Sequence, residues 1–212
     1  MDDMKFLGYD PGGRGAHGVA AIHVSPDGEI ASNPAPICEV VENAGLAWEW
    51  LSGHDDASAL GIDTLMAWSL TGIRQCDIAL RKRYPKRFRS VIHQNALYSA
   101  MTLNGALVAK RAAKSGWRLF ESHPKLLVNV LPSDDSAANS VLKWYSSVKA
   151  QTNGTIKGDK RADDMADAVV AAWSAAQGFI GRWQVDLFNI CGDQLERIEK
   201  GATYPWYDDI IN

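Results

Sequence analysis

The chain has 212 residues, of which 46% are hydrophobic and 22% are charged, and its net charge is −3. This length predicts one domain that can fold without disulfides or a structural metal. Three scattered cysteines without metal-ligand spacing indicate a reducing, cytoplasmic environment. The acidic start of the chain does not resemble a signal peptide, and no stretch of about 18 apolar residues predicts a membrane span.

The chain opens with three short predicted strands. Hydrophobic runs bounded by turn residues predict strands over residues 4–10, 19–24 and 37–41. Their connections are short, and parallel neighbours need a crossover of about a dozen residues, so we expect these strands to be antiparallel. A helix over 44–51 then leads back to the sheet, where residues 59–63 predict a fourth strand that is buried on both faces.

An insertion separates the fourth and fifth strands, because residues 64–120 exceed what a simple crossover requires. We define residues 72–116 as the basic helical insertion, with helices predicted over 72–83 and 95–114. The rest of the chain is predicted as a strand over 118–122, a Ser- and Asp-rich loop, an alanine-rich helix over 162–177 and a C-terminal extension over 178–212.

These elements predict one α/β domain over residues 1–212. Its sheet would have five strands, three antiparallel followed by two parallel, with helices on its faces and a helical insertion between strands four and five. This order of elements is that of the ribonuclease-H-like fold.

Positive charge is concentrated in one part of the chain. Residues 74–118 contain 11 of the 22 Lys and Arg residues and one acid, so this segment carries +10 and the remainder −13. Six of the cations lie within residues 81–89, together with two aromatic residues. A solvated helix face would explain this cluster, and so would a surface for the phosphates and bases of nucleic acid. As nucleic-acid contacts we predict Arg74, Arg81, Arg83, Lys86 and Arg87.

Four acids lie where a sheet of this order would bring them together. Asp10 ends the first strand and Asp63 ends the fourth, and neighbouring strands place these ends at one edge. Asp164 and Asp167 are three residues apart on the last helix, so they share a face. Acids that converge from separate elements raise each other's pKa unless cations lie between them. The pattern is typical of nuclease sites that hold two Mg²⁺ or Mn²⁺ ions.

Each acid also has a structural explanation. Asp10 can start the Pro-Gly-Gly turn that follows it, and Asp63 can accept hydrogen bonds from loop amides at its strand end. Asp164 lies in the first turn of a helix, where an acid complements the helix dipole. Asp167 lies one turn further inside an otherwise apolar helix, so neither explanation applies to it. Glu121 lies within a strand and is either a metal-site residue or an acid buried beside a lysine or arginine.

Five short motifs occur in a characteristic order. They are Gly-Tyr-Asp-Pro-Gly-Gly (8–13), Gly-Ile-Asp (61–63), residues 72–77 with Arg81, Phe-Glu-Ser-His-Pro (120–124) and residues 164–173. Together they resemble the family called domain of unknown function 429, over residues 4–177 and the Tyr-Pro-Trp segment 204–206. The resemblance implies a ribonuclease-H-like nuclease akin to the RuvC resolvases. It implies the catalytic residues Asp10, Asp63, Glu121, Asp164 and Asp167.

We therefore expect a nuclease that hydrolyses DNA or RNA with Mg²⁺ or Mn²⁺, held by Asp10, Asp63, Asp164 and Asp167. A non-catalytic nucleic-acid-binding or scaffold protein of the same fold is an alternative. An ATP-dependent phosphotransferase of the actin or sugar-kinase kind is a second alternative, although such proteins need two domains of this kind. A conventional P-loop is excluded, because residues 12–18 lack the Gly-Lys-Ser/Thr ending. Assembly into a homo-oligomer is left open.

Overall fold

The computed structural model describes residues 2–13, 15–92, 99–152, 161–190 and 195–208. Its strands are β1 (Met4–Asp10), β2 (His17–Val24), β3 (Ile37–Val41), β4 (Ala59–Ile62), β5 (Ala67–Ser69), β6 (Arg118–Glu121), β7 (Val185–Asp186), β8 (Leu195–Arg197) and β9 (Pro205–Trp206). Its α-helices are α1 (Ala44–Ser52), α2 (Gln75–Arg83), α3 (Ser99–Lys114), α4 (Pro124–Val130), α5 (Ser136–Thr152), α6 (Arg161–Phe179) and α7 (Leu187–Ile190). Among these described helices, none has the length and apolarity needed to cross a membrane.

The central sheet has the strand order β3-β2-β1-β4-β6. β2 is antiparallel to both β1 and β3, whereas β4 is parallel to both β1 and β6. The antiparallel strands follow one another along the chain, helix α1 leads from β3 to β4, and the crossover from β4 to its parallel neighbour β6 contains α2 and α3. The predicted fold class is therefore confirmed: the protein has a ribonuclease-H-like sheet with helices on its faces.

The predicted loop before the last helix is wrong, because that segment contains α4 and α5. Pro124 occupies the first position of α4, where the backbone N–H that proline lacks would have no partner within the helix. Asp135 caps α5, and its carboxylate accepts a hydrogen bond from the N–H of Ala137 at 2.8 Å. The Ser- and Asp-rich composition thus marks a helix start. Of the predicted helix over 95–114, residues 95–98 lie outside the described part of the chain.

Helix α6 lies directly on the sheet because three neighbouring strands present glycines to it. Gly8, Gly18 and Gly61 are so close to α6 that a Cβ on any of them would lie within 2.0 Å of a helix carbonyl oxygen. Residues 166–177 of α6 are all buried, between the sheet and α5. The backbone of α6 is therefore held at a defined position relative to the ends of β1 and β4.

The C-terminal extension packs back onto the basic helical insertion. β8 pairs with β5, which directly precedes the insertion, and β9 pairs with β7. Tyr204 and Trp206 are both buried, and the indole N–H of Trp206 donates to the Tyr84 hydroxyl at 3.0 Å. The extension thus helps to hold the insertion against the domain.

Candidate metal centre

Three carboxylates from separate elements meet at one edge of the sheet. Asp10 is the last residue of β1, Asp63 directly follows β4, and Asp167 lies near the start of α6. Each offers one carboxylate oxygen, and these atoms lie within 4.8 Å of one another. The strand order predicts that Asp10 and Asp63 converge. The close packing of α6 on the glycines of the sheet brings Asp167 to the same place.

The Asp167 carboxylate is buried without adequate hydrogen bonding. Its side chain is fully buried, and neither of its oxygens accepts a hydrogen bond from a described residue. The ammonium of Lys125 lies 3.5 Å from one oxygen, and 53% of the Lys125 side chain is exposed. A buried carboxylate without donors is unfavourable, so the site fits a group that brings more positive charge, such as a divalent cation.

The proximity of the acids changes their pKa values. Burial, followed by the charges of Asp63, Asp167 and Asp164, raises the pKa of Asp10 well above its ordinary value. Burial and the charge of Asp167 raise the pKa of Asp63 to about 8. Burial raises the pKa of Asp167 to about 6, although the neighbouring Lys125 opposes this increase. The three acids therefore share a negative potential that a bound cation would relieve.

Asp164 lies beside this group without being one of the three carboxylates that meet. Its charge raises the pKa of both Asp10 and Asp167. It lines a cavity of about 810 Å³ together with Asp10, the Pro-Gly-Gly turn and residues Ala100 and Met101 of α3. The cavity gives a ligand access to Asp10, and a role for Asp164 in metal binding remains a prediction.

The turn after Asp10 is held by two side chains that the sequence analysis did not identify. The N–H of Gly12 donates to Nδ1 of His17 at 3.3 Å, and the same nitrogen lies 2.7 Å from the Tyr9 hydroxyl. The side-chain amide of Asn104 on α3 donates to the Gly12 carbonyl at 2.9 Å. The sequence does contain a sign that Asn104 has a special role: asparagine is a poor helix former, and here it interrupts the apolar pattern of a predicted helix.

The structure places Glu121 in a different network. Its carboxylate lies 2.8 Å from the Arg74 guanidinium and accepts the N–H of Met66 at 2.6 Å. Arg74 also forms two hydrogen bonds of 2.8 Å with Asp77. Burial raises the pKa of Glu121, and the charge of Arg74 opposes this. The structural explanation, an acid buried beside an arginine, therefore accounts for the contacts of Glu121, and its catalytic role stays a prediction.

Among the predicted nucleic-acid contacts, Arg74 is only 1% exposed, so its contact with nucleic acid stays a prediction that this burial does not favour. Arg81 is partly exposed and donates to two carbonyls of the loop that follows it. Arg83 is exposed and pairs with Asp208 at 2.8 Å. Lys86 and Arg87 are exposed, and the Arg87 guanidinium stacks on a neighbouring phenylalanine. The accessible part of the predicted binding surface is thus carried by residues 82–89.

No family model and no curated protein matches the chain, so the resemblance to domain of unknown function 429 has no support from these comparisons. Among solved structures, the chain is similar to Thermus thermophilus RuvC in complex with a Holliday junction substrate, at 15% identity over 84% of this chain and 96% of that one, with a TM-score of 0.44. A further Thermus thermophilus RuvC structure has 17% identity over 82% and 97% of the two chains and a TM-score of 0.41. The fold assignment made above comes from the strand order.

Proposed function

We propose that this protein is a metal-dependent nuclease that hydrolyses phosphodiester bonds of nucleic acid by a two-metal mechanism. The observation that carries this proposal is the convergence of Asp10, Asp63 and Asp167, whose oxygens lie within 4.8 Å of one another. Carboxylate oxygens are the ligands that Mg²⁺ and Mn²⁺ prefer. We retain the motif resemblance to domain of unknown function 429 as part of this proposal.

Asp10 is the central ligand in this proposal. It is the acid whose pKa is raised by the charges of all three others, Asp63, Asp167 and Asp164, in addition to its burial. Asp63 would hold an ion from the β4 side, and Asp164 and Asp167 from the α6 side. When bound, a pair of such ions activates a water molecule and stabilises the leaving oxygen of the phosphodiester.

Lys125 supplies a positive charge at the edge of this acidic group. Its ammonium contacts Asp167, and the neighbouring acids raise the pKa of Lys125, so it stays protonated. Because about half of the side chain is exposed, the ammonium can also meet an incoming phosphate oxygen. Its role in the proposal is to orient the phosphate towards Asp10.

Nucleic acid would be held by the exposed cations of residues 82–89. In this segment Lys82, Arg83, Lys86, Arg87 and Arg89 are all exposed. Such residues bind the phosphate backbone, which DNA and RNA share, and this explains why the chain concentrates cations here despite its net charge of −3.

The experiment is a cleavage assay with labelled single-stranded, duplex, hybrid and branched substrates in Mg²⁺ or Mn²⁺. We expect cleavage by the wild type and by the control Asp56→Asn, which removes an exposed acid paired with Lys5. We expect none from Asp10→Asn or Asp167→Asn. Cleavage in EDTA, or by both site variants, would contradict the two-metal mechanism. Binding of every substrate without cleavage would instead support the non-catalytic alternative.

A further inference from the structure

Most of the exposed cations of residues 82–89 lie on a loop with a defined conformation. We call residues 84–92, which follow α2, the basic loop. The loop contains successive tight turns, in one of which the N–H of Val91 donates to the Phe88 carbonyl at 3.1 Å. Phe88 and Ile92 are buried and anchor the loop on the domain. The apolar side of the basic loop is therefore packed, and its cations lie on the exposed side.

Arg81, in the last turn of α2, holds the far end of the basic loop. Its Nε donates to the carbonyl of Ile92 at 3.0 Å, and its Nη2 donates to the carbonyl of Arg89 at 2.8 Å. Loop carbonyls have no partner in a helix or a sheet, so they depend on contacts of this kind. The two donors lie side by side on the planar guanidinium, so one side chain holds both carbonyls. This pair of donors is therefore not available to a phosphate.

His123 holds the same loop from the side of the metal centre. Its Nε2 lies 2.5 Å from the carbonyl of Val91. Because a carbonyl oxygen only accepts, Nε2 carries the proton and donates it to this hydrogen bond. His123 immediately precedes α4, and Lys125, two residues later, contacts Asp167 at 3.5 Å. The basic loop is thus fixed to the short segment that also carries Lys125.

Holding these cations close together is unfavourable for the protein alone. Residues 81–89 contain six Lys and Arg residues and no acid. Like charges repel, and a loop without fixed contacts would let them move apart. A bound polyanion relieves the repulsion, and a loop that is already ordered loses less conformational entropy when the polyanion binds. The contacts that fix the loop therefore favour the binding of phosphates.

We propose that Arg81 and His123 are positioning residues that hold the basic loop, beside Lys125, in the conformation that binds nucleic acid. This inference rests on the proposed function, because it requires that the exposed cations of residues 82–89 bind phosphates. Arg81 was predicted above to contact nucleic acid. Here it acts through the backbone of the loop instead, so the loss of its paired donors weakens binding even when its charge is kept.

The test measures binding of labelled single-stranded and duplex DNA and RNA to the full chain in EDTA, where metal-dependent cleavage is prevented. Arg81→Lys keeps the charge but cannot reproduce the two paired donors. It should bind the preferred probe about tenfold more weakly than the wild type, because binding must then order the loop. The slope of log affinity against log salt should stay the same, since no phosphate contact is lost. Hydrogen exchange of the Arg89 and Val91 amides, which close turns of the loop, should become faster.

Arg182→Lys is the matched control. The Arg182 guanidinium also donates to a backbone carbonyl, that of Asp27. Asp27 follows the end of β2 that pairs with Met4, the first residue of β1, whereas Asp10 is the last residue of β1. Arg182 thus holds a turn at the opposite end of the strands from the metal centre. Arg182→Lys should bind every probe like the wild type, and thermal melts verify that both variants fold.

His123 gives an independent test of the same loop. His123→Ala removes the donor to Val91 and should weaken binding about tenfold, again with an unchanged salt slope. His123→Gln should restore most of the affinity, because the glutamine amide can donate from a similar position. This pair of variants also decides the question if Arg81→Lys does not fold.

Wild-type affinity in Arg81→Lys would overturn the proposal, and so would the failure of the wild type to bind any probe. A tenfold loss of affinity without faster hydrogen exchange would show that Arg81 contacts the phosphate directly, which also overturns it. Expected binding results with no cleavage of any substrate would reject the nuclease proposal alone. Metal-dependent cleavage together with unchanged binding in Arg81→Lys would leave the nuclease proposal standing without this one.

Discussion

The side-chain amide of Asn104 donates a hydrogen bond of 2.9 Å to the carbonyl of Gly12, so helix α3 holds the turn that follows Asp10. His17 of β2 holds the N–H of the same glycine. Both backbone polar groups of Gly12 are thus fixed by side chains from different elements. The basic helical insertion is in this way connected directly to the candidate metal centre.

Gly105, the next residue of α3, contacts the chain that follows Asp63. Gly105 lies so close to Thr64, which follows Asp63, that a Cβ on it would be 2.5 Å from the threonine side chain. The insertion therefore contacts the chain within two residues after Asp10 and directly after Asp63. We infer that Asn104 and Gly105 act as positioning residues for the proposed ligands.

Asn104→Ala should weaken Mn²⁺ binding about tenfold, because the turn after Asp10 loses its support while the ligands themselves remain. Isothermal titration calorimetry measures the affinity. Asn139→Ala is the control, since this exposed amide also donates to a backbone carbonyl, that of Ser133, at 2.9 Å. Unchanged Mn²⁺ affinity in Asn104→Ala would show that the hydrogen bond does not position Asp10.

Asp164→Ala should leave the metal-free protein as stable as the wild type or more stable, because it removes repulsion with Asp10 and Asp167. The wild type should gain about 2.7 kcal/mol from Mn²⁺ at a hundred times the dissociation constant, and the variant much less. Thermal melts in EDTA and in Mn²⁺ measure both effects. An equal metal response would remove Asp164 from the ligand set. A loss of about 0.3–1 kcal/mol with and without metal would indicate a helix-dipole role alone.

Asp63→Asn should stabilise the metal-free protein increasingly as pH rises from about 5 to about 8. The pKa of Asp63 is about 8 in the folded state, whereas an aspartate in an unfolded chain has a pKa of about 3.9. The folded state therefore binds the extra proton in this range, and the wild type loses stability as pH rises. Urea unfolding in EDTA at several pH values measures the difference. A difference that does not change with pH would contradict the raised pKa.

Glu121→Gln should lower the free energy of unfolding by about 3 kcal/mol, because it leaves the buried Arg74 with one charged partner fewer. Mn²⁺ affinity should stay as in the wild type, since Glu121 is not one of the converging carboxylates. Urea unfolding measures the free energy of unfolding, and calorimetry measures the Mn²⁺ affinity. If the variant kept its stability and lost Mn²⁺ binding, Glu121 would belong to the metal centre after all.

Lys86→Ala and Arg87→Ala should each flatten the salt dependence of duplex binding, by about 0.9 in the logarithmic slope for each lost phosphate contact. Both side chains are exposed, so folding should not be affected. Lys143→Ala serves as the matched loss of one exposed cation on α5. Equal slopes for all three variants would show that residues 82–89 are only a solvated surface.

The sequence by itself determined the sheet and the meeting of the main acids. Strands β1 and β3 have their predicted bounds. Their signals are the alternation of apolar and polar residues, turns that contain Pro and Gly, and apolar runs, and all of these are local properties of the chain. Once the order of strands is known, Asp10 and Asp63 must end at the same edge. Asp167 could be recognised because a charge inside an apolar helix has no local explanation.

Only the tertiary structure decided which charges are used internally and which remain accessible. Arg74 and Glu121 are 47 residues apart in sequence, and their pairing buries a predicted nucleic-acid contact against a predicted catalytic residue. Asn104 reaches Gly12 across 92 residues. Local pattern determines where an element begins and ends. The partner of a charged or polar side chain depends on the packing of distant segments, because burial makes pairing obligatory and packing decides which group is within reach.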